Sequence, residues 1–488
     1  MGGLVAILKK TDDEATETVL NMLKVLSSEK TASYGIASPY TTKTANSLQN
    51  LQGSNLSSNI VIGHKFSNIL TKDKKQPICL ENASYVFEGR IFPKDSRISD
   101  AEVFALKIPE KRIENTKRFI QKTEGDFAFV IAEPERLVAG RDPLGTRALY
   151  YGENTAVAGI ASERKALWAA GIKNVNSFPP GTVAEINKHG FKFHFIKKIT
   201  QRPPRPLSME KASAELLKLL KKAVKERTAG LKRVAVSFSG GLDSSIVALL
   251  AKKTGTDVEL IHVSIRNQAE TGHAEKAAAG LDLPIHTYTY TEEDVPKALP
   301  HVLRSIEESD PLKASIGIPF FWVAENADKL GYKVILAGQG SDELFGGYKR
   351  YVDQYIHEGH HKVSSTIFQD VIKLHENNLE RDFKICNEKG LELRLPFATV
   401  EMINFALSLP LELKLEAKED TLRKLVLRQV GLSLGLPKSI VNRPKKAMQY
   451  ATGVSKALNN IAKRNHQPLQ TYLQTVFQTV FPELTTHD

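Results

Sequence analysis

Cysteines and long apolar runs are scarce in this chain, and each scarcity excludes a class of protein. The 488 residues include only two cysteines, Cys79 and Cys386, whose wide separation argues against a disulfide framework and fits a reducing compartment. No apolar run reaches the length of a membrane-spanning helix. The short apolar segment Met1–Leu8 is followed by lysines rather than preceded by them, unlike a signal peptide. We therefore expect a soluble cytoplasmic protein with no membrane partner.

An excess of basic residues is the main bias of the composition. Lys and Arg number 67 against 55 Asp and Glu, which gives a net charge of +12 and a pI near 9.3. This charge suits anionic ligands, but the basic residues are scattered and do not indicate nucleic acid as a partner. The hydrophobic content of 41% is that of a globular protein, and the length is sufficient for two or three domains.

The first part of the chain alternates short β-rich segments with turns, as in Tyr85–Phe92 and Phe127–Ala132, with helical stretches such as Glu14–Leu26 between them. This pattern predicts sheets flanked by helices and not a doubly wound parallel sheet. The segment Arg202–Pro206 then contains three prolines, which favour extended backbone and exclude helix. We therefore predict a domain at residues 1–200, a proline-rich linker at 201–207 and a second domain at 208–488.

The second part alternates helices with strands, which predicts a parallel α/β sheet. Predicted elements include a helix over Met209–Thr228, a strand over Arg233–Phe238, a helix over Pro319–Leu330 and a strand over Lys333–Ala337. Ligands of such sheets bind at the carboxyl ends of the strands. The remainder, from about Tyr348, is mostly helical in pattern.

A glycine-containing loop, Ser-Phe-Ser-Gly-Gly-Leu-Asp-Ser-Ser, follows the first of these strands. Adjacent glycines let backbone N–H groups approach an anion, and the N-terminus of the next helix adds partial positive charge. Asp243 suits such a loop only if a divalent cation lies between it and the phosphate. The loop lacks the Walker spacing, so it predicts a Mg²⁺-pyrophosphate cradle. Its predicted ligand contacts are Ser237, Ser239, Gly240, Gly241, Leu242, Asp243, Ser244 and Ser245.

A second loop, Leu336–Tyr348, again follows a strand and again combines glycines with an acidic residue, Asp342. Since parallel strands end at the same edge of their sheet, the two loops can face one crevice. Asp243 and Asp342 would then be a pair of Mg²⁺ ligands, with the metal bridging phosphate oxygens. The nucleotide contacts predicted from this loop are Ala337, Gly338, Gly340 and Ser341.

The two loops and three later segments resemble the synthetase domain of the glutamine-dependent asparagine synthetase family. These later segments are Glu307–Asp310, Arg394–Phe397 and Arg443–Gln449. The N-terminal part is similar to the glutaminase domain of that family in Gly63-His64, Phe87–Phe92, Gly125–Ala128, Arg141–Gly145, Ala161–Leu167 and Phe178–Gly181. The resemblance implies an α/β protein in which a layered α+β domain of the glutamine-amidotransferase (Ntn) type precedes a parallel-sheet ATP pyrophosphatase domain with a helical C-terminal part.

The resemblance also implies a reaction. The carboxylate of aspartate would attack the α-phosphorus of Mg-ATP and release pyrophosphate, and ammonia would then displace AMP. Lys445 matches a catalytic lysine of the family and would stabilise the reacting oxygens, although a lysine in a basic run is by itself more often a solvated residue. ATP and Mg²⁺ are the implied cofactors, and aspartate or another carboxylic acid, with ammonia or another amine, are the implied substrates. A homodimer is compatible with the resemblance.

The first departure from the family concerns the amine donor. The glutaminase of the family uses an N-terminal cysteine, whereas Gly2 has no nucleophilic atom. The Asn-Gly-Glu segment that holds glutamine in the family corresponds here to Glu88-Gly89-Arg90, so charge is altered where an amino acid must be recognised. We therefore expect an N-terminal domain that keeps its fold without glutaminase activity. Free ammonia, a partner protein or the amine of the substrate, as in the related β-lactam synthetases, would supply the nitrogen.

The second departure lies closer to the reacting groups. Gln339 replaces a glutamate that is implicated in handling the incoming amine, and glutamine cannot take a proton at pH 7. Either Glu343 or Glu307 would serve as the base, or the amine would arrive neutral. Thr399 likewise stands where the family has an aspartate after Pro-Phe-Leu.

Other functions compete with the amidation of aspartate by ammonia. They are adenylation of another carboxylate with a different amine, action on tRNA, and nucleotide binding by a regulator that has lost the acceptor chemistry. His357–His361 contains the His-Glu-x-x-His pattern of zinc proteases, but Gly359 weakens the helix that this pattern requires, and we expect a polar surface turn or a helix end there. His262, at a strand end, would contact adenine or be an internal histidine.

Overall fold

The computed structural model describes residues 2–54, 56–93, 97–419 and 421–482. The chain divides between Ile199 and Thr200 into two compact units. Unit 1 also includes the distant stretch Asn387–Glu392, and unit 2 comprises Thr200–Cys386 and the residues from Leu393 onward. Residues 201–207, with their three prolines, form no helix or strand.

Unit 1 is built from antiparallel strands and α-helices. Its strands are β1 (Gly2–Lys9), β2 (Ser33–Ala37), β3 (Thr42–Ala45), β4 (Ile60–Phe66), β5 (Ile78–Leu80), β6 (Ala83–Phe92), β7 (Glu124–Glu133), β8 (Arg136–Arg141), β9 (Tyr150–Glu153), β10 (Val157–Ala161), β11 (Asn176–Ser177), β12 (Thr182–Asn187) and β13 (Gly190–Phe195). Its helices are α1 (Thr16–Val25), α2 (Asp100–Lys107), α3 (Arg112–Lys122) and α4 (Arg164–Ala169). The strands form one sheet of order β11-β9-β10-β1-β4-β2-β3 and another of order β13-β12-β8-β7-β6-β5.

Three apolar clusters hold these layers together. The first lies between the two sheets and joins residues such as Ile62 of β4 to Val130 of β7. The second packs α1 and α4 on the first sheet and includes Met22. The third packs helices on the second sheet, where Phe104 of α2 meets Phe129 of β7. Unit 1 is therefore a layered α+β fold in the order helix, sheet, sheet, helix, as predicted.

Strand β1 is buried on both faces because it lies inside this stack. Side chains of a strand alternate between its faces. Leu4, Ala6 and Leu8 face the cluster between the sheets, whereas Val5 and Ile7 face the helices. The apolar run at the start of the sequence is thus a central strand.

The stretch Asn387–Glu392 is tied to unit 1 by polar contacts. The Nδ2 atom of Asn387 donates to the carbonyl of Gly2 at 2.6 Å, and the backbone N–H of Glu29 donates to the carbonyl of Glu388 at 2.8 Å. Lys389 forms an ion pair with Glu29 at 2.8 Å. These contacts place Glu392 within unit 1, where it becomes part of the pocket described below.

Unit 2 is built around a parallel sheet. Its strands are β14 (Arg233–Ser237), β15 (Asp257–Ile265), β16 (Ile285–Tyr290), β17 (Val334–Leu336) and β18 (Glu392–Arg394), of which β18 begins at the last residue assigned to unit 1. Its helices are α5 (Met209–Thr228), α6 (Leu242–Lys252), α7 (Ala269–Leu281), α8 (Asp294–Ile306), α9 (Pro311–Lys329), α10 (Ser341–Phe345), α11 (Lys349–Glu358), α12 (His360–Ile372), α13 (Glu380–Glu388), α14 (Val400–Leu407), α15 (Leu425–Ser433), α16 (Lys438–Val441), α17 (Met448–Ala451), α18 (Val454–Arg464) and α19 (Leu469–Val480).

The order of strands in this sheet brings the two predicted loops together. The order is β16-β15-β14-β17-β18, and β14 pairs in parallel with both β15 and β17. The chain winds from β14 toward β16 on one side and resumes with β17 on the other, so the sheet has a topological switch point between β14 and β17. Ligands of doubly wound sheets bind at such a point, beyond the carboxyl ends of the strands. The predicted parallel sheet is confirmed.

One predicted helix boundary in unit 2 is wrong. Helix α9 begins at Pro311 and not at Pro319, which lies inside the helix. Asp310 caps the helix by accepting a hydrogen bond from the backbone N–H of Lys313 at 2.7 Å, and Pro311 occupies the first turn, where its missing N–H costs nothing. Among the helices that the structure describes, none is both long and apolar enough to cross a membrane.

The zinc-protease pattern does not lie on one helix. Helix α11 ends at Glu358, and Gly359 has a φ of +83°, which separates α11 from α12. His357 and His361, the two histidines of the pattern, therefore belong to different helices and do not share a helix face. The pattern is accounted for by a helix junction.

Candidate active site

The glycine loop joins β14 to α6 through a tight turn. Gly240 has a φ of +70°, and a Cβ at this position would lie 2.8 Å from the Cα of Ala274, so only glycine fits. Gly241 is the cap residue of α6. Because this residue carries no side chain, nothing from the cap competes for the first N–H groups of the helix, which are available to an anion.

The serines of the glycine loop differ in exposure. Ser239 is exposed, and its Oγ accepts a hydrogen bond from the backbone N–H of Gly241 at 3.3 Å and lies 3.3 Å from Oγ of Ser244. Ser237 and Ser245 are buried, and the Oγ atom of Ser245 has no hydrogen-bond partner among the described residues. Ser244 is buried as well, so Ser239 is the exposed hydroxyl of the loop, with Oγ of Ser244 beside it.

The second loop contacts the first directly. A Cβ at Gly338 would lie 2.9 Å from the Cβ of Asp243, so the absence of a side chain at position 338 lets the two loops approach. Gly340, with a φ of +91°, caps α10, whose first residues are Ser341 and Asp342. The two loops thus place Asp243 and Asp342 on facing sides of the crevice.

Two lysines lie between these aspartates. The Nζ atom of Lys424 lies 2.6 Å from Oδ2 of Asp243, 2.7 Å from Oδ1 of Asp342 and 2.9 Å from Oγ of Ser341. The Nζ atom of Lys445 lies 2.9 Å from Oδ2 of Asp342 and 4.0 Å from Oδ2 of Asp243. The structure thus brings Asp243, Asp342 and Lys445 together, and their roles in metal binding and catalysis stay predictions.

Lys424 is a residue of this site that the sequence analysis missed. It caps α15 in the left-handed conformation, with a φ of +61°, and its side chain is only 3% exposed. Gly347 makes room for it, because a Cβ at position 347 would lie 2.5 Å from Cε of Lys424 and 1.9 Å from Oδ1 of Asp342. A strained backbone position and a crowded glycine both fix this ammonium group between the aspartates.

Arg428 fixes the segments that carry both lysines. This buried guanidinium, on α15, donates to the carbonyl of Arg423 at 2.6 Å and to that of Arg443 at 3.0 Å, and also to the carbonyl of Val441. Arg423 in turn donates to the carbonyl of Lys445 at 3.0 Å. The side chains of Arg428 and Arg423 thus hold the backbone segments that carry Lys424 and Lys445, and Arg428 is a positioning residue.

The electrostatics of the site favour charged groups at its centre. Burial alone would raise the pKa of Asp342, but the charges and hydrogen bonds of Lys424 and Lys445 lower it well below the usual range. Burial would lower the pKa of Lys445, but Asp342 and Asp243 raise it far above that of a free lysine. The two aspartates therefore favour the ammonium form of Lys445.

Glu343 differs from its neighbour in environment. Burial, followed by the negative charge of Asp342, raises the pKa of Glu343. Its Oε1 accepts hydrogen bonds from the hydroxyl of Tyr348 and, at 2.6 Å, from Nδ2 of Asn378. A carboxylate with a raised pKa next to the aspartate pair has the chemistry of a proton acceptor.

The remaining predicted residues lie in varied surroundings. Gln339 is half-buried in the second loop. Glu307 ends α8 in the left-handed conformation and pairs with Lys384 at 2.9 Å, so its carboxylate is engaged by a cation. His262 is buried, its Nδ1 lies 3.0 Å from the carbonyl oxygen of Phe238, and burial lowers its pKa. Of the two predicted bases, Glu343 is next to Asp342 in the sequence, and the charge of Asp342 contributes to its raised pKa. Glu307 instead forms an ion pair with Lys384.

The donor set of the crevice fits a magnesium ion. Mg²⁺ prefers carboxylate oxygens and usually binds through one or two of them together with phosphate oxygens and waters. Asp243 and Asp342 supply such oxygens, and Oδ1 of Asp243 is buried without a hydrogen-bond partner in the described part of the chain. An unpartnered buried carboxylate oxygen is costly unless a ligand or ion satisfies it.

A second polar pocket lies in unit 1, where the family resemblance places a glutaminase site. Gly2 of β1 has no space for a side chain, because a Cβ there would lie 1.5 Å from the carbonyl oxygen of Lys65. Its backbone N–H donates to Oε2 of Glu88 at 3.4 Å, and Oε1 of Glu88 makes a short hydrogen bond with Nε2 of His64. Burial would raise the pKa of Glu88, but the hydrogen bond and charge of His64 lower it.

Arg90 occupies the other end of this pocket and is fully engaged. Its Nη1 and Nη2 atoms lie 2.6 and 2.8 Å from the two carboxylate oxygens of Asp73, and Nη1 also donates to Asp100 at 3.2 Å. Its Nε and Nη2 atoms lie 2.9 and 2.7 Å from Oε2 of Glu392. These contacts use all five N–H donors of the guanidinium. The cavity that remains measures about 30 Å³, which holds roughly one or two water molecules.

Comparisons with known proteins match both parts of the chain. Residues 215–359 and 353–483 match the family model described as asparagine synthase, and residues 64–169 match that of a glutamine amidotransferase domain. A protein of Methanocaldococcus jannaschii that is named as a glutamine-hydrolyzing asparagine synthetase is 31% identical over 432 residues, which are 79% of this chain and 78% of that protein.

More distant matches carry related names. The glutamine-hydrolyzing asparagine synthetases of Triphysaria versicolor and Lotus japonicus are 29% and 28% identical, and each alignment covers 73% of this chain and 62% of the relative. The solved structure of the glutamine phosphoribosylpyrophosphate amidotransferase of B. subtilis, 20% identical, aligns with 54% of this chain and 67% of its own at a TM-score of 0.35. The sequence matches decide the family: the chain belongs to the asparagine synthetases and is an ATP-dependent ligase that forms a carbon–nitrogen bond.

Proposed function

We propose that this ligase adenylates aspartate, releases pyrophosphate and forms asparagine with free ammonia instead of glutamine. The observation that carries the proposal is the contrast between its two polar sites. In unit 2 the predicted nucleotide loops converge on Asp243, Asp342, Lys424 and Lys445. In unit 1 the pocket that would hold glutamine is filled by its own side chains.

The first half-reaction is a displacement at phosphorus. A carboxylate oxygen of aspartate forms a bond to the α-phosphorus of ATP while the bond to the bridging oxygen of pyrophosphate breaks. The backbone N–H groups in the first turn of α6 would bind the phosphate oxygens. Mg²⁺, held by Asp243 and Asp342, would supply charge neutralisation for the departing pyrophosphate.

The second half-reaction is amide formation. The nitrogen of ammonia attacks the acyl carbon of aspartyl-AMP, and the bond from that carbon to the phosphate oxygen breaks to release AMP. Lys445, which stays charged, is suited to stabilise the negative oxygen that develops on the acyl carbon. Glu343, with its raised pKa, is suited to take the proton that the attacking nitrogen loses. Gln339 contributes at most a hydrogen bond to the amine, since it cannot accept this proton.

The pocket of unit 1 supports the use of free ammonia. A nucleophile at position 2 would need a Cβ where the carbonyl oxygen of Lys65 lies. An amino-acid carboxylate would have to compete with Asp73, Asp100 and Glu392 for a guanidinium that has no free donor. A cavity of about 30 Å³ leaves no space for glutamine.

The test is a comparison of nitrogen sources in a pyrophosphate-release assay with Mg-ATP and aspartate. Ammonium is expected to support asparagine formation, and glutamine, freed of ammonium, to give at most background turnover. The Gly2→Cys variant is expected to leave this result unchanged and to resist labelling by a glutamine-analogue electrophile, because its side chain has no room to adopt a reactive position. Glutamate release from glutamine by the unaltered chain would contradict the proposal. If pyrophosphate is released only with another carboxylic acid, that acid and not aspartate is the substrate.

A further inference from the structure

We propose that Lys424 acts as a stand-in cation, which holds Asp243 and Asp342 together in the nucleotide-free enzyme and keeps free divalent metal out, so that metal enters only with ATP. The inference rests on the metal site of the proposed function, and it concerns the order of binding. It assigns to Lys424 a role that is distinct from that of Lys445.

The contacts of Lys424 are those of a bridging cation. Its Nζ atom lies 2.6 Å from Asp243 and 2.7 Å from Asp342, whereas Lys445 contacts Asp342 at 2.9 Å and is 4.0 Å from Asp243. The ammonium group donates hydrogen bonds to Oδ2 of Asp243 and Oγ of Ser341, and it forms an ion pair with Oδ1 of Asp342. Lys424 therefore bridges the two carboxylates.

The position of this ammonium group is fixed by its surroundings. Its side chain is 3% exposed, and its backbone has the left-handed φ of +61° that caps α15. The absence of a side chain at Gly347 is required for both its Cε and Oδ1 of Asp342. A flexible surface lysine would exchange partners with solvent, but a buried one held on three sides occupies the space between the carboxylates.

The charge balance of the site explains why nucleotide binding would release Lys424 from the two aspartates. Two carboxylates and the ammonium groups of Lys424 and Lys445 together are neutral, and a divalent cation added to this group would leave an uncompensated double positive charge. Like charges at such distances in a poorly solvated site are strongly unfavourable. The phosphates of ATP bring the negative charge that allows Lys424 to leave the aspartates and contact phosphate while metal takes its place.

The test is the affinity for Mn²⁺, a spectroscopic substitute for Mg²⁺, measured by electron paramagnetic resonance and calorimetry without nucleotide. The unaltered enzyme is expected to bind weakly, and Lys424→Met to bind about tenfold tighter or more, since it removes the competing charge. The matched control is Lys446→Met, which removes an equal charge from a half-exposed lysine paired with Glu270 at 3.0 Å. This control is expected to bind Mn²⁺ as the unaltered enzyme does. Lys424→Gln serves as a second neutral variant if Lys424→Met does not fold.

Three results would overturn the inference, and they differ in meaning. If the neutral variants fold and bind Mn²⁺ no tighter than the unaltered enzyme, while that enzyme binds Mn²⁺ together with α,β-methylene-ATP, Lys424 does not exclude metal and the proposed function stands. If the unaltered enzyme binds no Mn²⁺ even with this analogue, the metal site itself is wrong, and the inference falls with it. Tight binding by the unaltered enzyme without nucleotide would also contradict it.

Discussion

Replacing Asp342 with asparagine is expected to lower aspartate-dependent pyrophosphate release by about a hundredfold to a thousandfold, the range seen when one preorganised electrostatic group is lost. The substitution keeps the shape of the side chain and removes its charge. Lys424 and Lys445 both lie within 3 Å of this carboxylate, at 2.7 and 2.9 Å, so both would lose their shared anchor. The proposed metal site would also lose one of its two ligands.

The measurement is a coupled pyrophosphate assay over a range of ATP and Mg²⁺ concentrations. The matched control is Asp353→Asn, which removes an exposed carboxylate from α11 whose partner is Lys349 at 2.6 Å. This control is expected to change activity less than twofold, because exposed ion pairs contribute little. Retention of more than a tenth of the activity by Asp342→Asn would show that the aspartate pair is not the centre of the adenylation site.

Replacing Arg90 with methionine is expected to destabilise unit 1 by about 3–5 kcal/mol, the cost of removing one partner of a buried ion pair. Asp73, Asp100 and Glu392 all lie around this guanidinium, and all are buried or nearly so. Without Arg90 these carboxylates would repel each other in a site from which water is largely excluded. Hydrogen exchange of the backbone amides in β6 and in Asn387–Glu392, measured on the full chain, reports this loss as faster local opening.

Two control variants separate the contribution of the buried, forked contacts of Arg90 from that of its positive charge. Arg136→Met removes a partly exposed guanidinium that pairs with Glu185 at 2.8 Å and with Glu133 at 2.5 Å, and it is expected to cost about 1 kcal/mol or less because Glu133 keeps its ion pair with Arg112. Arg90→Lys keeps the charge but loses the forked geometry, so an intermediate loss is expected. Unchanged protection of β6 in Arg90→Met would contradict the view that this pocket has become a structural ion cluster.

The stabilisation of unit 1 by Arg90 is also expected to depend on pH. Burial would raise the pKa of Asp73, but the hydrogen bond and charge of Arg90 lower it below that of the unfolded chain. A group with a lowered folded-state pKa stabilises the protein above its unfolded pKa, about 3.9 for Asp, and this stabilisation is lost as the pH falls through the folded value. The difference between the unaltered chain and Arg90→Met is therefore largest near neutral pH and shrinks below about pH 4.

The local parts of the ligase site could be predicted from the sequence. Each loop carries its own signal, since adjacent glycines and an aspartate follow a β-rich segment within a few residues. The parallel sheet was indicated by alternating helices and strands, and its switch point then brings Asp243 and Asp342 together. Helix Met209–Thr228 was predicted with the bounds that the structure shows, because its amphipathic pattern and its Ser208 cap are both local.

The contacts that sequence reasoning missed are long-range or depend on backbone conformation. Lys424 lies 181 residues from Asp243, and only its left-handed cap position turns its side chain into the crevice. Its one signal is that a basic pair, Arg423-Lys424, directly precedes a buried helix. Glu392 lies 302 residues from Arg90, and no local pattern links the two. The loss of charge complementarity at Glu88 and Arg90 was visible in the sequence, but the cluster that replaced it was not.

The central claim, adenylation of the substrate carboxylate, is tested most directly by following oxygen from aspartate labelled with ¹⁸O in its side-chain carboxylate. In a reaction with Mg-ATP and ammonium, one labelled oxygen is expected to appear in AMP for each asparagine formed, because the oxygen that attacks the α-phosphorus leaves with AMP. Recovery of ¹⁸O in inorganic phosphate, or asparagine formation with unlabelled AMP, would contradict adenylation as the first step.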